Sequence, residues 1–510
     1  MSRVLRLGSR RSALARVQAQ QVGARLQCLD PTLRIEYRFI AASGDRSAEP
    51  NASLITARGG FSEDLGVMLD HGDIDLAVHS WKDLPLADRN KTVVAATLQR
   101  ADARDVLLIR RKSLYTAAAT GLRILSSAAR RRHHLEEFLA WALPVRPARV
   151  SFAPVRGDIA IRLRKLLRGD GDALIIAKAA LDRLIGTTGD IMAGTSADSG
   201  GLLRQTQDVV WRALAECRAI VLPLLYCPAA PAQGALAIEV PVSTPYAALW
   251  REVNHPDSFE TVNTERAIAR RYNDAEPLGL TRLRFDYGDI EFIRGSWPDT
   301  PEQRARLYRI GHGLPRPRDA NAIWCDELPD ADVRDRQPVT CKLGDIGAET
   351  GLLVARAEAL PRDCRIDDDT IVWTAGLTTW RKLAARGVWV TGSDESLGET
   401  GATAIRAWFP KTNRWLKLSH QQGSPVAHAQ LVPAYRSTRR QPVGDVSRYS
   451  HFFWQSGTQL REYLNAHPTL RNAWHGCGPG NSYRIASQLL GSERVRPFLN
   501  THQFRQELLT

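Results

Sequence analysis

The 510-residue sequence lacks any cysteine pair with CxxC spacing; its seven cysteines are scattered. That excludes a zinc ribbon and a disulfide-stapled scaffold, and a reducing, cytoplasmic setting is expected. No run of about 18 uninterrupted apolar residues is present, so no membrane span is expected. Glycine and proline, at 37 and 27 residues, are too few and too dispersed for a collagen-like or low-complexity chain. Aromatic residues are only 7% and are not interleaved with basic ones, which argues against a nucleic-acid partner. Acidic side chains are the scarcer charge, 55 against 69 Lys and Arg, a net +14. None precedes Asp30, whereas six Arg do, as in an organelle-targeting leader. Yet VLRLGSR from Val4 alternates like a strand and runs directly into helical SALARVQAQQVGARL, so the segment reads as folded βα structure.

What the sequence has in excess is arginine. Between Leu122 and Arg168, eleven Arg and Lys stand against three Asp and Glu. A guanidinium holds carboxylate or phosphate in a planar fork, which favours one specific anion over diffuse steering. A solvated basic face would give the same composition, so position must decide.

Short apolar runs alternate with helical stretches through the first half, predicting mostly parallel sheets flanked by helices. Strands are predicted at Val4–Gly8, Ile35–Ile40, Leu76–His79, Thr92–Leu98, Asp105–Ile109, Ala173–Ala177 and Leu236–Val240. Helices are predicted at Ala13–Leu26, Glu63–Leu69, Arg131–Ala140, Ala160–Leu167 and Val209–Ala219. CPAAPAQGA (Cys227–Ala235) reads as a hinge or crossover, and residues 300–345 as surface connections. Val372–Val390 and Ala473–Val495 share one plan: strand end, glycine turn with a hydroxyl residue, helix, then Gly before another strand. Backbone N–H groups at such helix starts cradle anions.

GDIDLAVHSWKDLP (Gly72–Pro85) is the most informative stretch. A buried strand delivers Ser80, Lys82 and Asp83 to a turn closed by Pro85, and ligands gather at strand carboxyl ends in α/β domains. Asp83 is either a turn residue or a carboxylate that stabilises a cation and passes a proton. Around it come GSRRSALA with Arg10 and Ser12, SSAARRRHHL with Ser127, Arg130 and Arg131, and VRGDIAIRLRKL with Arg156 and Arg162. Each Arg alone reads as a surface residue. Five at three element starts suggest one anion embraced by two domains.

Together GSRRSALA, DLAVHSWKDLP, RADARDVLL, SSAARR, VRGDIAIRLRKL, DALIIAKAALDRL and CPAAPAQGALAIE, in this order, resemble the hydroxymethylbilane synthase (porphobilinogen deaminase) family. The resemblance covers residues 3 to about 240, and TERAIARRYNDAEPLG with LRFDYGDIEFIRGSWPD resembles the start of its third domain. It implies two periplasmic-binding-protein-like doubly wound α/β domains, a small α+β third domain and, beyond them, a C-terminal α/β extension. The boundaries would be 1–97 plus 222–245, 98–221, 246–345 with linker, and 346–510. The implied activity is head-to-tail condensation of porphobilinogen into a linear hydroxymethylbilane with release of ammonia. Asp83 matches the catalytic aspartate. Arg10, Arg130, Arg131, Arg156 and Arg162 match arginines that bind acetate and propionate groups, and Ser12, Ser80, Lys82, Ser127 and Gln233 match further site contacts. The implied partners are carboxylated pyrroles, taken by a cytoplasmic monomer without metal.

The family's cofactor is dipyrromethane, bound through a thioether to a cysteine. Here Asp274 stands nearest that cysteine's place and no Cys occurs between Cys227 and Cys325, so covalent attachment is not expected. ARGGFSEDL (57–65) lacks the lysine that usually follows the glycine pair, and SSAARR has one serine fewer than the family's pattern. The alternative to an enzyme is a non-catalytic descendant that binds pyrroles or bilane. In the tail, VPAYRS, FFWQSG and GCGPGNS resemble a uroporphyrinogen-III synthase lobe, with Ser456, Thr458, Gly478, Asn481 and Ser482 as implied carboxylate contacts. The alternative there is an unrelated α/β extension.

Overall fold

The computed structural model describes residues 3–41, 63–87, 90–186, 197–272, 277–295, 305–325, 334–339, 343–398, 403–439 and 445–509. The chain divides into two compact units. The first comprises Met1–Phe138, Pro147–Arg284 and Phe292–Arg304; the second comprises Leu139–Arg146, Phe285–Glu291 and Ala305–Thr510.

Ten strands build the sheets of the first unit: β1 (Arg3–Arg10), β2 (Leu33–Ile40), β3 (Leu76–Ser80), β4 (Thr92–Ala96), β5 (Asp105–Arg110), β6 (Leu122–Leu125), β7 (Val150–Ala153), β8 (Ala173–Ala177), β9 (Cys217–Val221) and β10 (Leu236–Pro241). One sheet runs β2-β1-β3-β10-β4 and the other β7-β6-β8-β5-β9. They share a plan. Four strands run one way in each, and one inner strand is antiparallel to both neighbours, β10 in the first and β5 in the second.

Leu5 and Leu7 of β1 pack with Ala19, Val22 and Leu26 of the helix Ala13–Leu29, closing a βαβ unit with β2. Because β1 and β3 are parallel, their carboxyl ends lie at one edge of the sheet, where Arg10, Ser12, Ser80, Lys82 and Asp83 follow. β6, β7 and β9 are absent from the sequence-predicted set. The expected helix Val209–Ala219 is instead the end of a longer helix, Ala197–Glu216, which gives way to β9 at Cys217. Apolar CRAIV belongs to a fully covered strand, and a run that short carries no period to distinguish it from helix.

After β11 (Gly279–Phe285), β12 (Gly288–Arg294) and β13 (Ala305–Arg309), the chain runs on in the second unit through β14 (Ile323–Trp324), β15 (Arg334–Pro338), β16 (Thr350–Val354), β17 (Ile371–Thr374), β18 (Gly392–Ser393), β19 (Arg414–His420), β20 (Gln430–Arg439), β21 (His451–Trp454), β22 (Trp474–Cys477) and β23 (Val495–Pro497). Residues 305–338 therefore contain strands where the sequence reading expected connections. A four-stranded sheet, β14-β21-β22-β23, is parallel throughout. A six-stranded sheet, β15-β20-β19-β16-β17-β18, is parallel except for the antiparallel pair β15/β20. The chain thus opens one sheet with β14, builds the other, and returns through β21. The two similar segments fold alike, as β17–Gly376–helix Leu377–Ala384 and β22–Gly480–helix Asn481–Leu490, one in each sheet. Trp373, Trp380, Trp389, Trp408 and Trp415 are core residues.

Candidate active site

β3 ends at Ser80 and turns through the single 3₁₀ turn Trp81–Asp83. The Trp81 ring is 1% exposed and packs on Phe259, centroids 5.4 Å apart. With that side chain sunk in the core, the turn presents Lys82 half-buried and Asp83 exposed. Ser80 is tied to Gln18, whose Nε2 donates to the hydroxyl at 2.9 Å.

The Lys82 ammonium donates to Gln233 Oε1 at 3.1 Å. Burial pulls its pKa down to about 8; Asp83 and Asp105 pull it back up, and Arg131 and Arg130 push it further down. Gln233 is itself buried, and its amide nitrogen donates to Ala103 O at 2.6 Å and to Asp105 Oδ1 at 2.9 Å. Its loop needs two left-handed residues, Ala232 at φ 65° and Gly234 at φ 91°. A Cβ at Gly234 would stand 2.4 Å from Ala101 O, so only glycine lets the loop close there.

Asp105, at the start of β5, is the hub. It is fully buried and accepts from Arg130 Nη2 at 2.8 Å and from Arg131 Nη2 and Nε at 2.7 and 3.1 Å. Burial alone would raise its pKa; Arg131 and Arg130 outweigh that and hold the carboxyl well below the usual range. Arg130 also donates to Pro228 O at 2.6 Å and Arg131 to Ile175 O at 3.2 Å. The two arginines singled out as ligand-binding are thus oriented by the protein's own carboxylate.

The half-buried Arg162 guanidinium has its pKa lowered by burial and by Arg131, and raised by Asp83 and Asp158, with Arg10 lowering it again. Arg162, Arg131, Asp83 and Arg10 therefore share one electrostatic site. Arg162 Nε donates to Gly157 O at 2.7 Å, fixing the side chain over its own helix start. Arg156 is exposed in the preceding loop, where its carbonyl accepts from Lys165 at 3.2 Å. Ser12 caps the helix Ala13–Leu29, accepting from Ala15 N at 3.4 Å. Ser127 exchanges hydrogen bonds with the backbone of Val155 at 2.8 and 2.9 Å, which is a scaffold role. In total, Lys82, Arg130, Arg131 and Arg162 face two carboxylates, Asp83 and Asp105, and Arg10 acts on Arg162. This is a positively charged, partly desolvated site with one exposed carboxylate.

Asp105 escaped the sequence reading, although RADARDVLL contains it; a strand-opening acid gives no sign that two distant arginines converge on it. Glu265, fully buried and paired with Arg100 at 2.5 Å, was missed for the same reason. His134, on the helix that carries Arg130 and Arg131, is buried.

Cys217 and Cys227 do not suit a thioether at this site. Cys227 is 3% exposed and directed at His134 O, 3.8 Å away; Cys217 is buried with its pKa raised to about 12, burial being the first cause. Asp274 and residues 57–62 lie outside the described residues. Among the described residues, no group of three or more His, Cys, Asp or Glu is placed to hold a metal ion.

In the second unit, Ser456 caps the helix Gly457–Ala466 after β21, and Thr458 Oγ1 lies 3.5 Å from His420 Nε2 at the end of β19. Gly478, Asn481 and Ser482 follow the adjacent parallel β22, and Ser482 donates to Gln455 O at 3.4 Å. These five residues gather at one sheet's carboxyl end. His420, from the other sheet, joins them.

Residues 5–245 match the family model described as porphobilinogen deaminase, dipyromethane cofactor binding domain. A porphobilinogen deaminase of Chromobacterium violaceum is 32% identical over 54% of this chain and 78% of its own length. That of Syntrophomonas wolfei is 32% identical over 58% and 84%, and that of Ralstonia nicotianae 31% over 62% and 85%. With a fold that brings Asp83, Lys82 and the arginines to one site, and relatives matched over most of their length, the chain belongs to the porphobilinogen deaminase family.

Proposed function

We propose that this chain is a hydroxymethylbilane synthase, condensing porphobilinogen head to tail with release of ammonia. The observation that carries the reading is Asp83: an exposed carboxylate beside Lys82, in the field of Arg162, on a turn anchored by a buried tryptophan. When the C–N bond of porphobilinogen's protonated aminomethyl (ammonium) group breaks, the electron pair leaves with ammonia and an azafulvenium cation remains. A fixed carboxylate stabilises that charge without reorganising. The α-carbon of the next pyrrole then forms the new C–C bond, and its proton passes to the same carboxylate. Arg10, Arg156 and Arg162 would hold the acetate and propionate groups, and Arg130 and Arg131, aligned by Asp105, would add to the field. Buried charge-assisted contacts of this kind contribute about 1.5–3 kcal/mol each.

Dipyrromethane, the family's cofactor, is a carboxylated bispyrrole, and this cationic donor set fits its acid groups. When bound, it supplies the pyrrole α-position from which the chain of rings grows. Cys217 and Cys227 do not fit its covalent attachment, so Arg10, Arg162 and Lys82 would hold it by charge.

The test is turnover by the purified full chain, following ammonia release and porphobilinogen consumption. Asp83→Asn should slow both on the order of a hundredfold with the fold unchanged. The missing thiol favours a second reading, a non-catalytic binder of pyrroles or bilane; binding without ammonia release by the wild type would select it.

For residues 346–510 we propose a uroporphyrinogen-III-synthase-like, ring-closing activity. Two largely parallel sheets, with Ser456, Thr458, Asn481 and Ser482 at the carboxyl end of one and His420 reaching them from the other, support it. Preformed hydroxymethylbilane should then yield type III product above the spontaneous type I. The reading goes with a cytoplasmic monomer in which β14 and β15, assigned by the sequence division to the third domain and its linker, belong to the C-terminal sheets. No helix among the described residues is long and apolar enough to cross a membrane.

A further inference from the structure

The helix Pro256–Arg271, from the TERAIARRY stretch, takes no direct part in the mechanism above, yet two consecutive side chains on it reach both sides of the site. Glu265, with no exposed side-chain surface, pairs with Arg100 at 2.5 and 3.0 Å. Its carboxylate also accepts from Ala232 N at 2.7 Å and Arg282 N at 2.6 Å. Ala232 is the left-handed residue immediately before Gln233, so this bond sets the loop that delivers Gln233 to Lys82 and Asp105. Arg100 holds the same loop from its other end, donating to Gln233 O at 2.8 Å.

Arg266, one position on and about 100° around the helix, points to the other element. Its Nη1 donates to Leu84 O at 3.3 Å and, more weakly, to Trp81 O at 3.5 Å, and its Nη2 donates to Pro85 O. These carbonyls flank Asp83 on both sides. Arg270, one turn later, donates to Leu86 O at 2.6 Å. One guanidinium fork thus spans the turn that presents Lys82 and Asp83, from beneath, while 8% exposed itself.

We propose that Glu265 and Arg266 are positioning residues for the site: Glu265 fixes Gln233 against Lys82, and Arg266 fixes the turn that aims Asp83. Neither touches substrate. The inference rests on the proposed reading for what the site does, but not for how it is held.

The test uses Arg266→Lys and Glu265→Gln in the full chain, with two readouts. The first is the pH dependence of Lys82 acylation by an amine-selective reagent, read by peptide mass spectrometry in the absence of substrate. Lys82 is faced by Asp83 on its own turn, Arg130 and Arg131 on the neighbouring helix, Asp105 on β5 and Gln233 on the crossover loop. None of these is altered by either substitution, so a moved midpoint reports a moved turn or loop. Its midpoint should rise from about 8 towards the ordinary 10.5 as the loosened turn admits water. The second readout is steady-state kinetics: kcat should fall roughly 10- to 100-fold, as for a displaced catalytic group, with KM little changed because the substrate arginines remain. Arg266→Lys keeps charge and helix propensity, so if Glu265→Gln fails to fold, the lysine variant alone decides. An unchanged Lys82 midpoint in a folded Arg266→Lys protein overturns the proposal. If the wild type never consumes porphobilinogen, the functional reading fails while the Lys82 titration still settles the positioning.

Discussion

Replacing Asp105 with Asn removes one negative charge and almost no volume from the hub of the site. In the native protein that charge faces two guanidiniums whose side chains are 8% and 11% exposed, through three charge-assisted bonds. The amide keeps one acceptor oxygen but leaves two buried cations without a counter-charge. Breaking a buried pair from one side costs about 3–5 kcal/mol. The loss is local to β5 and the helix Ala129–Ala142, so the assay is native-state hydrogen exchange of peptides from those elements. At 1.4 kcal/mol per decade, their exchange should quicken roughly 10²- to 10⁴-fold. A second sign is fixed independently. Asp105 raises the Lys82 pKa, so its removal should drive the Lys82 midpoint below about 8. Exchange altered by less than about tenfold, with Lys82 unmoved, would refute Asp105 as the group that holds these arginines.

Gly234→Ala should destabilise the crossover loop by about 1–3 kcal/mol, because its φ of 91° and the 2.4 Å approach to Ala101 O leave no place for a methyl; urea melts of the full chain would read it. In the second unit, burial lowers the His475 pKa to about 4 from 6.5, with Trp454 donating to one ring nitrogen at 2.9 Å. Between those values the unfolded chain binds a proton that the folded chain refuses, so stability is full above about pH 6.5 and falls by up to about 3 kcal/mol as pH drops towards 4. His475→Gln should flatten that slope in urea midpoints measured across the range. The intact mass of native protein should equal the sequence mass, and acid denaturation should leave any pyrrole in the supernatant. A two-pyrrole increment on a cysteine peptide would show covalent attachment after all.

Local pattern carried the elements whose chemistry is local. Ala173–Ala177 is a strand with the predicted bounds, and Leu76–His79 differs by one residue, because short apolar runs between turn signals have few other fates. The antiparallel insertion of β10 between β3 and β4 could not be read, since LAIEV reads the same in either direction of pairing. At the site, Asp83 and Lys82 were legible because one short turn carries both. Asp105 was not: its meaning depends on Arg130 and Arg131, some 25 residues away, and on Gln233, 128 residues away. Ser12 and Ser127 were legible as polar groups near the site, but a helix cap and a backbone exchange, which depend on the folded chain, occupy their hydroxyls.

The position of β10 also fixes an order of events during synthesis. β4 ends at Ala96, yet the strand that joins it to β3 begins only at Leu236, and every strand of the second sheet lies between them. At about 5–20 residues per second, the ribosome needs roughly 7–28 s to deliver that missing strand. Throughout this interval β3 and β4 emerge as neighbours without a common partner, their backbone edges open to any passing strand. β5 through β9, by contrast, can close their own sheet as soon as Val221 has been made. The nascent chain therefore completes its second sheet before its first, and the exposure of β3 and β4 to mispairing ends with the arrival of six residues, Leu236–Pro241.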